Sequence, residues 1–168
     1  MQKTEGTVVR YFKLGQDKRI PHGVLIQKTE GIGGYNEARK GDILLLDDII
    51  FSMLDPSPLN FYPDILDRQI LMIKGAVKEV FDLFLPGVTY KHCDMIDKEN
   101  RRYEQYYIPA LDILSTQEAT EQGSHIFRRA DVKDAHLIVS LEAIEAVLRR
   151  QPIGVSVEPA DFEGSRYR

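Results

Sequence analysis

Apolar residues recur along the chain in three distinct rhythms. The run TVVRYFKL, Thr7 to Leu14, is rich in β-branched and aromatic residues, and PHGVLIQK, Pro21 to Lys28, is a shorter run of the same kind. The turn-forming segment GQDKRIP separates them, so both read as early strands. After the glycine-rich, polar segment EGIGGYNEARKGD comes ILLL, Ile43 to Leu46, expected as a buried strand-like piece. It opens an irregular connection, because Pro56, Pro58 and Pro63 exclude a regular helix there. From Ile70 to Leu85 the rhythm changes: Val77, Val80, Phe81 and Phe84 recur at helical spacing, and Pro86-Gly87 supplies the stop. This predicts an amphipathic helix over 70–85, with Gly75 a weak point near its start.

Val88–Ile96 and Tyr103–Ile108 alternate as strands do, and the charged DKENRR between them predicts a hairpin. LDILS, a polar loop TQEATEQGS, the pair Ile126-Phe127 and the strand-like HLIVS follow. Ser140 then stands where an N-cap belongs, its hydroxyl able to accept from a free amide of the first turn, with Glu142 at the positive helix end. Ala143 occupies the position where a capping box requires Glu or Gln. Leu141, Ile144, Ala146, Val147 and Leu148 form the apolar side of this helix, and Glu142, Glu145, Arg149 and Arg150 the polar one. Arg149 follows Glu145 by four residues, a pair worth about 0.3 to 0.5 kcal/mol when exposed. Pro152 and Gly154 end the helix and turn the chain into the short strand VSV. The double arginine therefore has a sufficient structural reason. The pattern predicts an α+β fold, a mainly antiparallel sheet packed against two main helices, as a single domain over residues 1–159. Residues 160–168 read as a frayed tail. There is no internal repeat and no low-complexity tract.

Composition adds bounds. A chain of 168 residues buries roughly 70% of its unfolded surface as one domain. Hydrophobic residues make up 43% and charged ones 29%, which is outside the profile of disorder. The formal net charge of −4 gives no general pull toward phosphate backbones or anionic lipid, so neither nucleic acid nor a membrane is expected as partner. The start of the chain has no apolar core of signal-peptide length, and no stretch approaches the roughly 18 apolar residues of a membrane span. A cytoplasmic location is expected. The single cysteine, Cys93, excludes an internal disulfide and a multi-cysteine zinc site.

Candidate chemistry is sparse. EGIGGY, Glu30 to Tyr35, resembles a phosphate-cradling loop, but no Gly-Lys-Ser/Thr follows and NEARKGD is too short for the helix such a site needs. His92 and Cys93 are neighbours on a strand and so point to opposite faces. His22, His125 and His136 lack metal-ligand spacing. No catalytic residue, metal site or cofactor is expected. Asp42, Asp47, Asp48 and Asp55 form an acidic cluster without the pattern of a calcium loop. Tyr103 and Tyr107 share one face of their strand, and Tyr106 lies on the other with Ile108. One face goes to the core, and an exposed tyrosine on the other suits a protein interface. The candidate partner-binding residues are thus Tyr103, Tyr107, Asp47, Asp48 and Asp55.

The order of segments carries a resemblance. The opening Tyr11-x-x-Leu14, the helix of KGAVKEVFDLF, the strands YKHCDMID and RRYEQYYIPALDILS, the Ile126-Phe127 step and the closing HLIVSLEAIEAVLRRQPIGVSV resemble a family of bacterial immunity proteins. These are antidotes to polymorphic toxins, typified by a myxobacterial member and formerly catalogued as a domain of unknown function. The resemblance spans residues 8–158 and rests on structural positions, so it carries no catalytic or binding residue over to this chain. It implies a protein that blocks a cognate toxin by stoichiometric contact. The alternatives from the residues alone are an enzyme of unrecognised class, or a small-ligand binding domain in which EGIGGY lines a concave site.

Overall fold

The computed structural model describes residues 10–130 and 136–160. Its first strand, β1 (Tyr11–Gln16), lies within a five-stranded sheet together with β7 (Ile113–Leu114), β8 (Ile126–Arg129), β9 (Leu137–Ser140) and β10 (Val155–Pro159), in the order β10-β1-β9-β8-β7. A second sheet has the order β2-β5-β6-β4-β3, built from β2 (Ile49–Met53), β3 (Ile65–Leu66), β4 (Met72–Ile73), β5 (Tyr90–Asp97) and β6 (Arg102–Pro109). Four helices are described: α1 (Tyr35–Arg39), α2 (Gly75–Phe84), α3 (Thr116–Gln122) and α4 (Leu141–Leu148). The fold mixes helix and sheet as expected, but one mainly antiparallel sheet is corrected to two sheets. Two strand pairs, β2 with β5 and β7 with β8, run parallel. Parallel neighbours need a crossover, and the chain between β2 and β5 makes it through β3, β4 and α2. None of the described helices is long and apolar enough to cross a membrane.

Three apolar clusters hold these layers together. Leu14, Ile126 and Val139 of the first sheet meet Ile65 and Ile73 of the second, with Val77, Val80 and Phe81 of α2 and Ile144 and Val147 of α4. The opposite face of the first sheet packs Tyr11, Phe127 and Ile138 against Ala119 of α3. The opposite face of the second sheet packs Cys93, Met95, Tyr106 and Ile108 against Val24, Ile26, Leu46 and Tyr62. Period-two alternation explains how one strand feeds two clusters.

The hairpin forms in full, with register from Tyr90↔Pro109 to Asp97↔Arg102. Ser140 caps α4, its Oγ accepting from the Ala143 amide at 3.2 Å. Arg149 pairs with Glu145 at 3.8 Å, and Arg150 reaches Glu79 of α2 at 3.1 Å. Leu141 and Leu148, expected on the apolar side, are exposed, and Ala143 is buried in their place.

Four local expectations are corrected. The 70–85 segment is a helix only from Gly75, which adopts a positive φ of 51° at the first helical position. Ile70 to Ile73 are all buried, which gives a strand packed on both sides rather than one helical stripe. ILLL is a turn: the Leu46 amide donates to the Ile43 carbonyl at 3.1 Å, so Ile43 and Leu46 go inward while Leu44 and Leu45 project. The strand follows it, as β2. PHGVLIQK forms only isolated bridges, because the Gln69 side chain takes the place of a neighbouring strand at Ile26, accepting from its amide and donating to its carbonyl at 2.8 and 3.0 Å. TQEATEQGS, expected as a loop, is α3, opened by a capping box between Ser115 and Glu118. Of the tail expected to fray over 160–168, residues 161–168 lie outside the described residues, and Ala160 donates its amide to the Tyr11 carbonyl at 3.0 Å.

Candidate protein-binding face

Alternation along β5 and β6 separates two environments. Tyr106 is fully buried and its hydroxyl donates to the Pro63 carbonyl at 2.8 Å. Cys93 is also fully buried, and burial pushes its thiol up to about 11 against the lowering effect of Ser52. A thiol held protonated in this way is a packing group rather than a nucleophile. His92 points the other way and meets the Tyr107 ring at 5.0 Å, so the His92–Cys93 pair is split between faces as the strand period requires.

The outer face is ordered in three rows across β2, β5 and β6. The registers align Ile49 with His92 and Tyr107, Phe51 with Asp94 and Gln105, and Met53 with Ile96 and Tyr103. Phe51 is 70% exposed, Tyr103 59% and Ile49 53%. Tyr107 forms the wall of this face: Lys78 of α2 lies 5.1 Å from its ring centre, and Tyr90 packs edge-on at 5.9 Å. The Tyr90 hydroxyl donates to Asp82 at 2.7 Å, and the hydrogen bonds from Lys78 and Tyr90 hold that carboxyl below its ordinary range. Asp94, buried under the middle row, accepts from Gln105 Nε2 at 3.2 Å. Helix α2 thus covers one end of the face and leaves the rows of Phe51 and Met53 open.

Among the described residues no strand pairs with the other edge of β2. The His92 amide donates to the Asp48 carbonyl at 2.9 Å and the Leu54 amide to the Ile96 carbonyl at 3.1 Å, so the even-numbered residues of this segment bond to β5. Alternation turns the backbone groups of Ile49 and Phe51 toward the free edge. The Met53 carbonyl, with the same orientation, accepts from the Gln27 amide at 2.8 Å. A groove of about 480 Å³ runs along this edge, with Gly31, Ile32 and Gly33 on its far bank. The glycine-rich segment therefore lines a groove beside a strand.

Asp47 and Asp48 stand exposed at the start of β2 and Asp55 just beyond its end. Asp48 binds Lys91 at 2.6 Å, and that hydrogen bond lowers its pKa. The five residues singled out from the sequence thus surround one region: Tyr103 and Tyr107 on its face, the three aspartates at the two ends of its edge strand. Sequence reasoning missed Ile49, Phe51 and Met53. Their signal was the β-branched and aromatic run Ile49-Ile50-Phe51, next to the more apolar ILLL.

Among the described residues no three of His, Cys, Asp and Glu come together as metal ligands would. No family model matches the chain, and no curated protein matches it.

Proposed function

We propose that this chain is an immunity protein that neutralises a cognate bacterial toxin by stoichiometric binding, and that the open quarter of its second sheet is the surface that holds the toxin. The observation that carries the reading is the coincidence of exposed Ile49, Phe51 and Tyr103 with a strand edge that no described strand pairs. Unpaired edges invite pairing with another chain, and aromatic anchors dominate interface energetics. The resemblance in segment order supplies the class of partner. Exposed Asp47, Asp48 and Asp55 around an apolar strip, in a chain of net charge −4, favour a basic partner and would speed its capture.

The test is growth rescue. Candidate toxins from the source organism are expressed alone and then with this chain. The reading expects one toxin whose killing is suppressed by the wild-type chain and restored by Phe51→Asp, with the variant remaining folded. Rescue that persists in Phe51→Asp combined with Tyr103→Ala removes this face from the account, and failure to rescue from every candidate removes immunity.

A further inference from the structure

The groove along β2 has the features of a place where a strand is added. Ile49 and Phe51 turn their amides and carbonyls toward it, because the even-numbered residues of this segment bond to β5, and among the described residues no strand pairs with them. Backbone groups on such an edge are the template an extended chain uses when it joins a sheet. The groove measures about 480 Å³, within the range of ligand sites. Its far bank is low: a Cβ added at Gly31 or Gly33 would meet nothing within 4 Å. A second backbone can approach β2 past these two positions without meeting a side chain there.

Pairing stops at Met53, whose carbonyl already accepts from the Gln27 amide at 2.8 Å, so the added segment is short. Period two sets its side chains alternately beside exposed Ile49 and Phe51 and on the side of buried Ile50 and Ser52. Charge then separates the two ends. Exposed Asp47 lines the start of the groove, while the nearby cation Lys91 pairs with Asp48 instead, at 2.6 Å. At the other end exposed Lys28 lines the groove and exposed Asp55 stands just beyond β2, so opposite charges share that end. An occupant is therefore drawn to place a cation beside Asp47. A second copy of this chain meets the reverse: β2 paired antiparallel with itself about Phe51 sets Asp47 of each copy opposite Asp55 of the other, and like charges directly opposite are unfavourable.

We propose that β2 receives an extended segment of the protein partner as a sixth strand of the second sheet, a segment with β-branched or aromatic residues beside Phe51 and a Lys or Arg beside Asp47. The identity of that partner rests on the immunity reading above, whereas the strand addition is tested without it.

The test uses the full chain, labelled for nuclear magnetic resonance, and three short capped peptides of alternating Val and Thr: one with Lys at both ends, one with Glu at both ends, and the Lys peptide N-methylated throughout. The Lys peptide is expected to bind at about 1 mM or tighter and to shift the Ile49 and Phe51 amides and slow their exchange. The Glu peptide is expected to bind about fivefold more weakly, and the N-methylated peptide, which keeps the side chains and loses the amide donors, not at all. Asp47→Lys, at an exposed position, reverses the order of the Lys and Glu peptides, an outcome that loss of the fold does not produce. Absence of binding by the Lys peptide at about 1 mM overturns the proposal, as do equal binding of its N-methylated form and binding that leaves the Ile49 and Phe51 amides unmoved. A dimer of this chain that Phe51→Asp dissolves assigns the edge to a second copy and overturns it as well. Growth rescue that depends on Phe51 without peptide binding keeps the partner face and removes the added strand; peptide binding without rescue from any toxin keeps the added strand and removes immunity.

Discussion

The two sheets have the same number of strands and opposite fates. The first is covered on both faces, by the shared core on one side and by α3 on the other. The second is covered on one face by the cluster around Val24 and Tyr62 and on the other only in part, where Ile65, Ile73 and Tyr107 meet the shared core and α2, so that the rows of Phe51 and Met53 stay in contact with solvent. Large apolar side chains on the first sheet therefore hold the fold together, whereas those on the open quarter of the second contribute little to it. Phe127 and Phe51 make the contrast within one residue type: the first is fully buried against Tyr11 at 5.5 Å, the second mostly exposed.

Truncating these two phenylalanines separates the sheets most sharply. Phe127→Ala is expected to cost about 4 kcal/mol in a urea titration, and Phe51→Ala within about 0.5 kcal/mol of zero. Comparable losses at both positions would show that the open quarter is part of the folding core.

The next largest effect lies at the far end of β5. Asp97 is buried and accepts from Asn60 at 3.1 Å, from the Asn100 amide and side chain at 3.1 and 2.7 Å, and from the Tyr62 hydroxyl. Burial alone would raise its pKa, but these donors outweigh burial and hold the carboxyl well below its ordinary range. Asp97→Ala leaves the donors without an acceptor and is expected to cost about 3 kcal/mol. Because the folded pKa lies below the unfolded one, the unfolded chain binds more protons in acid. The contribution is therefore present above about pH 4 and lost as pH falls through the folded value. Urea midpoints across the acid range should drop in the wild type and flatten in Asp97→Asn.

Ser115→Ala is expected to cost about 1 kcal/mol, because α3 buries only Ala119 of its own residues and depends on its capping box. A thermal melt checks it. Tyr103→Phe is expected to leave the melt unchanged, within about 0.5 kcal/mol, since Tyr103 is exposed.

These differences also explain what the sequence disclosed. The β5–β6 hairpin and α4 were legible because turn, cap and alternation all lie within a short span. Tyr103 and Tyr107 could be assigned to one face by period two alone. The capping box of α3 was present as Ser115 and Glu118, but a polar helix has no apolar rhythm to draw attention to it. The strand at Ile49–Met53 was obscured by ILLL, a more apolar run that the local hydrogen bond at Ile43 and Leu46 bends into a turn. Its parallel pairing with β5 depends on contacts more than forty residues away.

The most direct measurement of the central claim is calorimetric titration of the toxin identified by growth rescue, against the wild-type chain and Phe51→Asp. The account predicts one-to-one binding by the wild type and a loss of about a hundredfold in affinity for the variant, at unchanged melting temperature. Equal affinity in the two proteins would contradict it.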